Sequence, residues 1–414
     1  MKVSRICEFI YMIVGIPWLF MMIITSRGFT GIKMALLAIL IITAVAEIII
    51  VKIKLNKRVL IYLVIFISYY ALSLLWGIYN GFPYDFFGDF GLTQYYLITP
   101  IAVLILYTVM SNKQIRLDML WNSIKYITLI MVIMNVCKVF AFKGIIPDID
   151  VFGLLLMVSG HSSTSMALRV SNEAGLMFLL PLFIVMFFLG KGSKKDTIIY
   201  SLILIFGLVY TFVSGRKMLE LIVVATILMM ICYNLIMSKN IKRIFVIAGL
   251  GILAVFVLNS FSEKIGVDDI FTLIYKTLMH GFSGESQGMS KRVENMGALF
   301  GMWFESPLIG HGLNAHAASI ASTTSLWSYE VVYFALLMQT GVIGAAILGI
   351  GVCCILYRLY IAYKRSKNVI CFAVMIGFTM FILGGATNPL VYFLWPWMIS
   401  MSFGEIGVKK QVIG

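Results

Sequence analysis

Along this chain, apolar runs of about 20 residues recur from one end to the other, separated by short polar breaks and without the strict alternation of a half-buried strand. A run of that length, rising about 1.5 Å per residue as a helix, crosses the roughly 30 Å hydrocarbon core of a bilayer. The pattern predicts twelve spans, at residues 6–26, 34–51, 59–78, 92–110, 119–140, 172–190, 197–214, 217–237, 243–261, 330–357, 369–387 and 390–404. In lipid every backbone donor and acceptor must be paired inside the structure. These segments are too long and too uniformly apolar for barrel strands, so the chain reads as an all-α polytopic membrane protein with residues 1–414 forming one integral membrane domain.

The polar breaks alternate in character. Lys2 and Arg5; Lys52, Lys54, Lys57 and Arg58; Lys113 and Arg116; Lys191, Lys194 and Lys195; Lys239, Lys242 and Arg243; Arg358, Lys364, Arg365 and Lys367; and Lys409 with Lys410 all fall on one side, and they hold most of the 32 lysines and arginines. The positive-inside rule makes that side cytoplasmic, with both termini inside, and the expected location is a bacterial cytoplasmic membrane. The longer connections fall on the other side: an aromatic one over 79–91, one over 141–171 that can lie along the interface, and a large extracytoplasmic loop over 262–329. Two short helices are expected in the last, near 270–278 and 290–304, followed by a turn at Pro307, Gly310 and Gly312. Function is expected on this side, because the basic loops are too short to build a site.

Composition narrows the class without changing it. At 61% hydrophobic and 12% charged residues, with a mean hydropathy of +1.00, the chain is no soluble domain. The net charge of +14 does not point to nucleic acid, since the basic residues are dispersed in inter-helix clusters. The six cysteines form no CxxC pair and have no histidine at ligand spacing, so neither a disulfide nor a metal is expected. Basic residues followed by an apolar stretch resemble a signal peptide at the N-terminus. No small-residue cleavage site follows, however, and the first segment is read as an uncleaved helix.

Cations on the less basic side are the most informative residues. Arg216 and Lys217 sit in a very tight connection, Ser214-Gly215-Arg216-Lys217, between two apolar runs; Arg169 and Arg292 lie in the two long loops. The planar five-donor fork of arginine suits diphosphate oxygens, although a guanidinium at that depth also serves by snorkelling to headgroups. Glu330 opens the tenth run, where the helix dipole favours a carboxylate and where it can act as a general base. His311 and His316 lie in the Gly-rich segment just before it, able to act as acid, base or sugar ligand or simply to brace the loop. The aromatics of Tyr79-Asn80-Gly81-Phe82-Pro83-Tyr84 fit an interfacial belt better than a sugar platform. Glu47, Lys125 and Lys138 are intramembrane charges, which ordinarily face the bundle interior.

Over residues 210–345 the ordered short motifs resemble the O-antigen ligase and polymerase superfamily. They are Ser214-Gly215-Arg216 opening a run, then Arg292 with Trp303, Glu305, Pro307, Leu308, Gly310 and Gly312, and then Tyr333 to Gly344 with Gly341 and Gly344 as Gly-x-x-Gly. The resemblance implies a GT-C-like helical bundle acting on an undecaprenyl-diphosphate-linked glycan, with no cofactor, no metal and no nucleotide sugar; membrane lipids and a chain-length regulator are the partners it suggests. Ligases of that superfamily place a catalytic histidine eleven positions before the first glycine of Gly-x-x-Gly, where this chain has Glu330. The departure favours a repeat-unit polymerase making O-antigen or exopolysaccharide, with Glu330, His311 or His316 as base and Arg216, Arg292, Arg169 and Lys217 on the diphosphate. A ligase-type glycan transferase and a lipid-linked oligosaccharide flippase are the alternatives.

Overall fold

The structure, a computed structural model, describes residues 2–25, 29–85, 91–142, 144–147, 157–160, 167–170, 173–190, 192–214, 216–238, 249, 287–317, 326–386 and 393–406. Its elements in chain order are α1 (Ser4–Ile24), α2 (Thr30–Val51), α3 (Lys57–Tyr79), α4 (Gly91–Met110), α5 (Gln114–Phe142), β1 (Met157–Gly160) and β2 (Ala167–Val170). There follow α6 (Glu173–Leu189), α7 (Lys194–Ser214), α8 (Lys217–Tyr233), α9 (Gln287–Glu305), α10 (Val332–Ser366), α11 (Val369–Gly384) and α12 (Leu394–Gly404). Eight of these, α1 to α5, α7, α8 and α10, are long and apolar enough to cross a membrane. The protein is a multi-pass membrane protein.

Three expectations change on inspection. The segment read as a span over 390–404 has its helix only over Leu394–Gly404, 11 residues that reach about 16 Å, half of a hydrocarbon core. The tenth helix runs to Ser366, well beyond the expected end at 357, because Tyr357 to Tyr363 continue its pattern until Lys367 takes a left-handed cap at φ 54°. The 141–171 loop departs from an all-helical reading: β1 and β2 pair antiparallel, with Val158 opposite Arg169. Apart from residue 249, the expected span at 243–261 and the helix near 270–278 lie outside the described residues, whereas the helix expected over 290–304 is α9.

Helix α6 is the hub, packed against α7, α8 and α11. It is apolar on every side, and Phe178, Phe183 and Phe188 are fully buried, as such a helix requires. Between helices in lipid there is no hydrophobic drive, so close van der Waals contact has to hold them. Gly377 on α11 supplies it, since a Cβ there would come within 2.7 Å of the Phe178 carbonyl oxygen. Peripheral α2 and α3 instead turn Ile42, Ile49, Ile61 and Leu72 outward, the lipid-facing surface of the bundle.

Two of the intramembrane charges, Glu47 and Lys125, are paired. Glu47 of α2 is fully buried and accepts from Arg116 Nη2 at 2.6 Å, Arg116 Nη1 at 2.9 Å and the Tyr11 hydroxyl at 3.0 Å. Arg116 was grouped with the basic loop in the sequence. It sits instead in the first turn of α5 and points into the bundle, 1% exposed, over the Tyr11 ring. Lys125 of α5 pairs with Asp196 at 2.6 Å, and Ser193 with Asp196 forms a capping box that starts α7.

Candidate functional site

The segment after α9 is the organising piece of the site, and its conformation follows from three glycines. Gly310 and Gly312 take φ +70° and +110°, and Gly341 interrupts α10 at φ 64°, ψ −173°, in backbone regions that other residues avoid. The interruption exposes backbone groups that the loop then satisfies. His311 and Gly312 amides donate to the Met338 and Gln339 carbonyls (3.0 and 2.8 Å), while the Val342 and Ile343 amides donate to the Pro307 and Leu308 carbonyls (2.9 and 3.1 Å).

On its other side the same segment is threaded onto α3. The Leu313 amide donates to the Ser73 carbonyl, Trp76 Nε1 to the Gly310 carbonyl, and Asn80 Nδ2 to the His311 carbonyl, both at 3.1 Å. The Pro-Leu-x-Gly-x-Gly turn and the Gly-x-x-Gly segment are therefore two halves of one backbone interlock. Gln339, buried, holds the far end: its Nε2 donates to the Ala315 and Trp327 carbonyls at 3.1 and 2.9 Å, tying together the two sides of the intervening loop. Tyr329, beside Glu330, accepts from the Ala317 amide at 2.8 Å, and burial pushes its phenol above the usual tyrosine range.

This frame brings Arg292 and Glu330 together. Arg292 lies on α9, Glu330 just before α10, and Nε and Nη2 of the guanidinium both reach Oε2 of the carboxylate at 2.8 Å. The pair is open, with side chains 36% and 57% exposed, and Oε1 has no donor among the described residues. Exposed pairs of this kind contribute about 0–1 kcal/mol, so the guanidinium can exchange its carboxylate for another anion at little cost.

The histidines differ. His311 Nε2 hydrogen-bonds the Met302 carbonyl at 2.6 Å, which closes α9 against the turn and occupies that nitrogen. His316 is half-buried and meets Phe82 edge-on at 5.4 Å, with no hydrogen bond on its imidazole among the described residues. Tyr84, in the aromatic loop, shares a 2.9 Å hydrogen bond with Thr93 Oγ1 and so helps position α4.

Arg216 caps α8, half-buried, its amide 3.4 Å from Ser214 Oγ, with exposed Lys217 next to it. Strand β2, which carries Arg169, packs on α7, the helix that leads directly to Arg216. Helix α8 touches α11, which packs along α10. Helix direction puts the starts of α8 and α10 at the end of the bundle opposite the basic clusters; among the described side chains, Arg292 and Glu330 are in contact.

Sequence reading passed over Glu220. It is one turn into α8 below Arg216, buried at 8% exposure, with no side-chain hydrogen bond among the described residues. The signal was present, since an ionisable residue inside an apolar run marks a functional site by default. Gln339 was missed for the opposite reason: a single amide within an apolar run shows its value only when the loop it ties is in place. In comparisons with known proteins, no family model and no curated protein matches the chain.

Proposed function

We propose that this protein is a polymerase of undecaprenyl-diphosphate-linked oligosaccharide repeat units, a metal-independent glycosyltransferase of about twelve spans with a GT-C-like bundle. It would work on the outer face of a bacterial cytoplasmic membrane, with both termini inside. The observation that carries the reading is the open Arg292–Glu330 pair, 2.8 Å apart at the end of the bundle away from the basic loops. It supports the reading because a guanidinium and a carboxylate lie within one side-chain length of each other.

In the proposed reaction a donor diphosphate draws Arg292 away from Glu330, with Arg216, Lys217 and Arg169 as further anion-binding groups. The freed carboxylate accepts the proton of the acceptor hydroxyl, whose oxygen attacks the anomeric carbon of the donor chain. The bond between that carbon and the diphosphate oxygen breaks, and undecaprenyl diphosphate leaves with the bonding electrons. Negative charge grows on the leaving group during this step, so the guanidinium stabilises the transition state more than the ground state. His316 is the alternative proton acceptor; His311 reads better as the brace of the turn.

Arg292→Ala is expected to reduce polymer formation by at least about a hundredfold, the usual consequence of deleting one such charge-stabilising donor. Protein level should be unchanged, because only an exposed pair is lost. Sugar-lipid analysis of the carrier should then find single repeat units. Long chains left on the carrier would instead identify a ligase, and units trapped on the cytoplasmic side a flippase. Normal chain-length ladders in Arg292→Ala, Arg216→Ala and Glu330→Gln would remove the proposal altogether.

A further inference from the structure

A cavity of about 460 Å³ opens at the other end of the bundle, toward the helix ends that carry the basic loops. Its walls are α3, α4, α10 and α12. Tyr62 and Gly351 form its apolar sides, and Cys354, Arg58 and Arg358 lie toward the basic end. The size is within the roughly 300–1,000 Å³ of small-molecule sites. Gly351 is required for the shape: a Cβ there would meet the Tyr62 hydroxyl at 2.2 Å.

Charge and an unused polar group give the cavity a direction. Arg58 is exposed and has no carboxylate in ion-pair reach among the described residues. Arg358 is anchored at one side, Nη1 to Glu405 Oε1 at 2.5 Å, with 27% of its side chain exposed, and a guanidinium carries five donors in all. Ser400, fully buried, also lines the cavity, and its hydroxyl finds no hydrogen-bond partner among the described residues. An apolar slot inside the membrane, ending in two arginines at the headgroup level of the basic side, matches an amphiphile with one anionic head and an apolar tail.

We infer that this cavity is a binding site for one anionic glycerophospholipid, drawn from the leaflet on the basic side with its phosphate between Arg58 and Arg358 and an acyl chain along Tyr62 and Gly351. Basic pockets between membrane helices on that side are suited to such headgroups. The inference is independent of the catalytic proposal, since no residue is shared with the Arg292–Glu330 end.

Native mass spectrometry of the full chain, exchanged into detergent with equal phosphatidylglycerol and phosphatidylcholine, tests it. One phosphatidylglycerol per chain should be retained, about tenfold over phosphatidylcholine. Arg58→Gln, at an exposed position that leaves the packing intact, should cut that preference to about twofold or less. Cys354→Trp, which fills the slot from an exposed position, should lose the retained lipid whatever its headgroup. Equal retention of the two lipids, an Arg58→Gln preference like the parent's, or a polyprenyl phosphate in place of the phospholipid would each overturn the assignment.

Discussion

Glu47→Ala is expected to destabilise the folded bundle by about 3–5 kcal/mol, the usual consequence of leaving a buried charge without its partner. Arg116 is 1% exposed, and two of its three guanidinium nitrogens are committed to Glu47, with Nη1 also donating to the Val109 carbonyl at 2.9 Å. Its Nε already has no partner, so loss of the carboxylate leaves it the Val109 carbonyl and the more distant, partly exposed Glu8 carboxylate at 3.9 Å. The Tyr11 hydroxyl loses its acceptor in the same step. Both groups are buried inside the bundle, and the deficit is larger than at a protein surface.

The double variant Glu47→Leu/Arg116→Met should recover most of that loss, because the pair's desolvation penalty disappears with its attraction. SDS-induced unfolding from mixed micelles measures all the forms. A Glu47→Ala midpoint equal to the parent's, or a double variant no better than the single one, would show that the pair is not what joins α1, α2 and α5. In the cycle of Glu47→Leu, Arg116→Met and the double variant, the double should be less destabilised than the sum of the two singles.

This cluster also marks how far the sequence could be read. That Glu47 lay within an apolar run and faced inward was legible from its neighbours alone. Its partner was not, because Arg116 follows Lys113 within a polar break and looks like one more cytoplasmic cation. Only the phase of α5 turns it into the bundle, and phase at a helix start depends on where the first turn begins. The same limit applies to α12, whose short apolar run gave a type of element but not its length, and to the β1–β2 hairpin, where eight residues around Val158 and Arg169 carry no alternating pattern strong enough to outweigh a loop reading. In the candidate site, Arg292 and Glu330 were singled out separately for their chemistry. Their contact across 38 positions of sequence is a product of the glycine interlock, which no local pattern encodes.

Gly341→Ala should be strongly damaging to that interlock, costing on the order of 5 kcal/mol. At φ 64°, ψ −173° the backbone is in a region essentially reserved for glycine, about 1–3 kcal/mol unfavourable for any other residue. A Cβ there would also stand 2.2 Å from the Leu308 carbonyl oxygen and 2.6 Å from the Ile309 nitrogen, and both are backbone atoms that cannot swing aside. The loop must then lift from α10, breaking up to four buried backbone hydrogen bonds worth about 1 kcal/mol each. Gly349→Ala on the same helix is the control: no atom lies within 4 Å of its would-be Cβ, so helix propensity alone applies and stability should hold or rise slightly. Limited proteolysis of the 307–317 segment, alongside SDS unfolding, separates the two outcomes. If Gly341→Ala and Gly349→Ala resist protease and detergent equally, the loop does not depend on the break in α10, and Arg292 and Glu330 must be brought together by something other than this interlock.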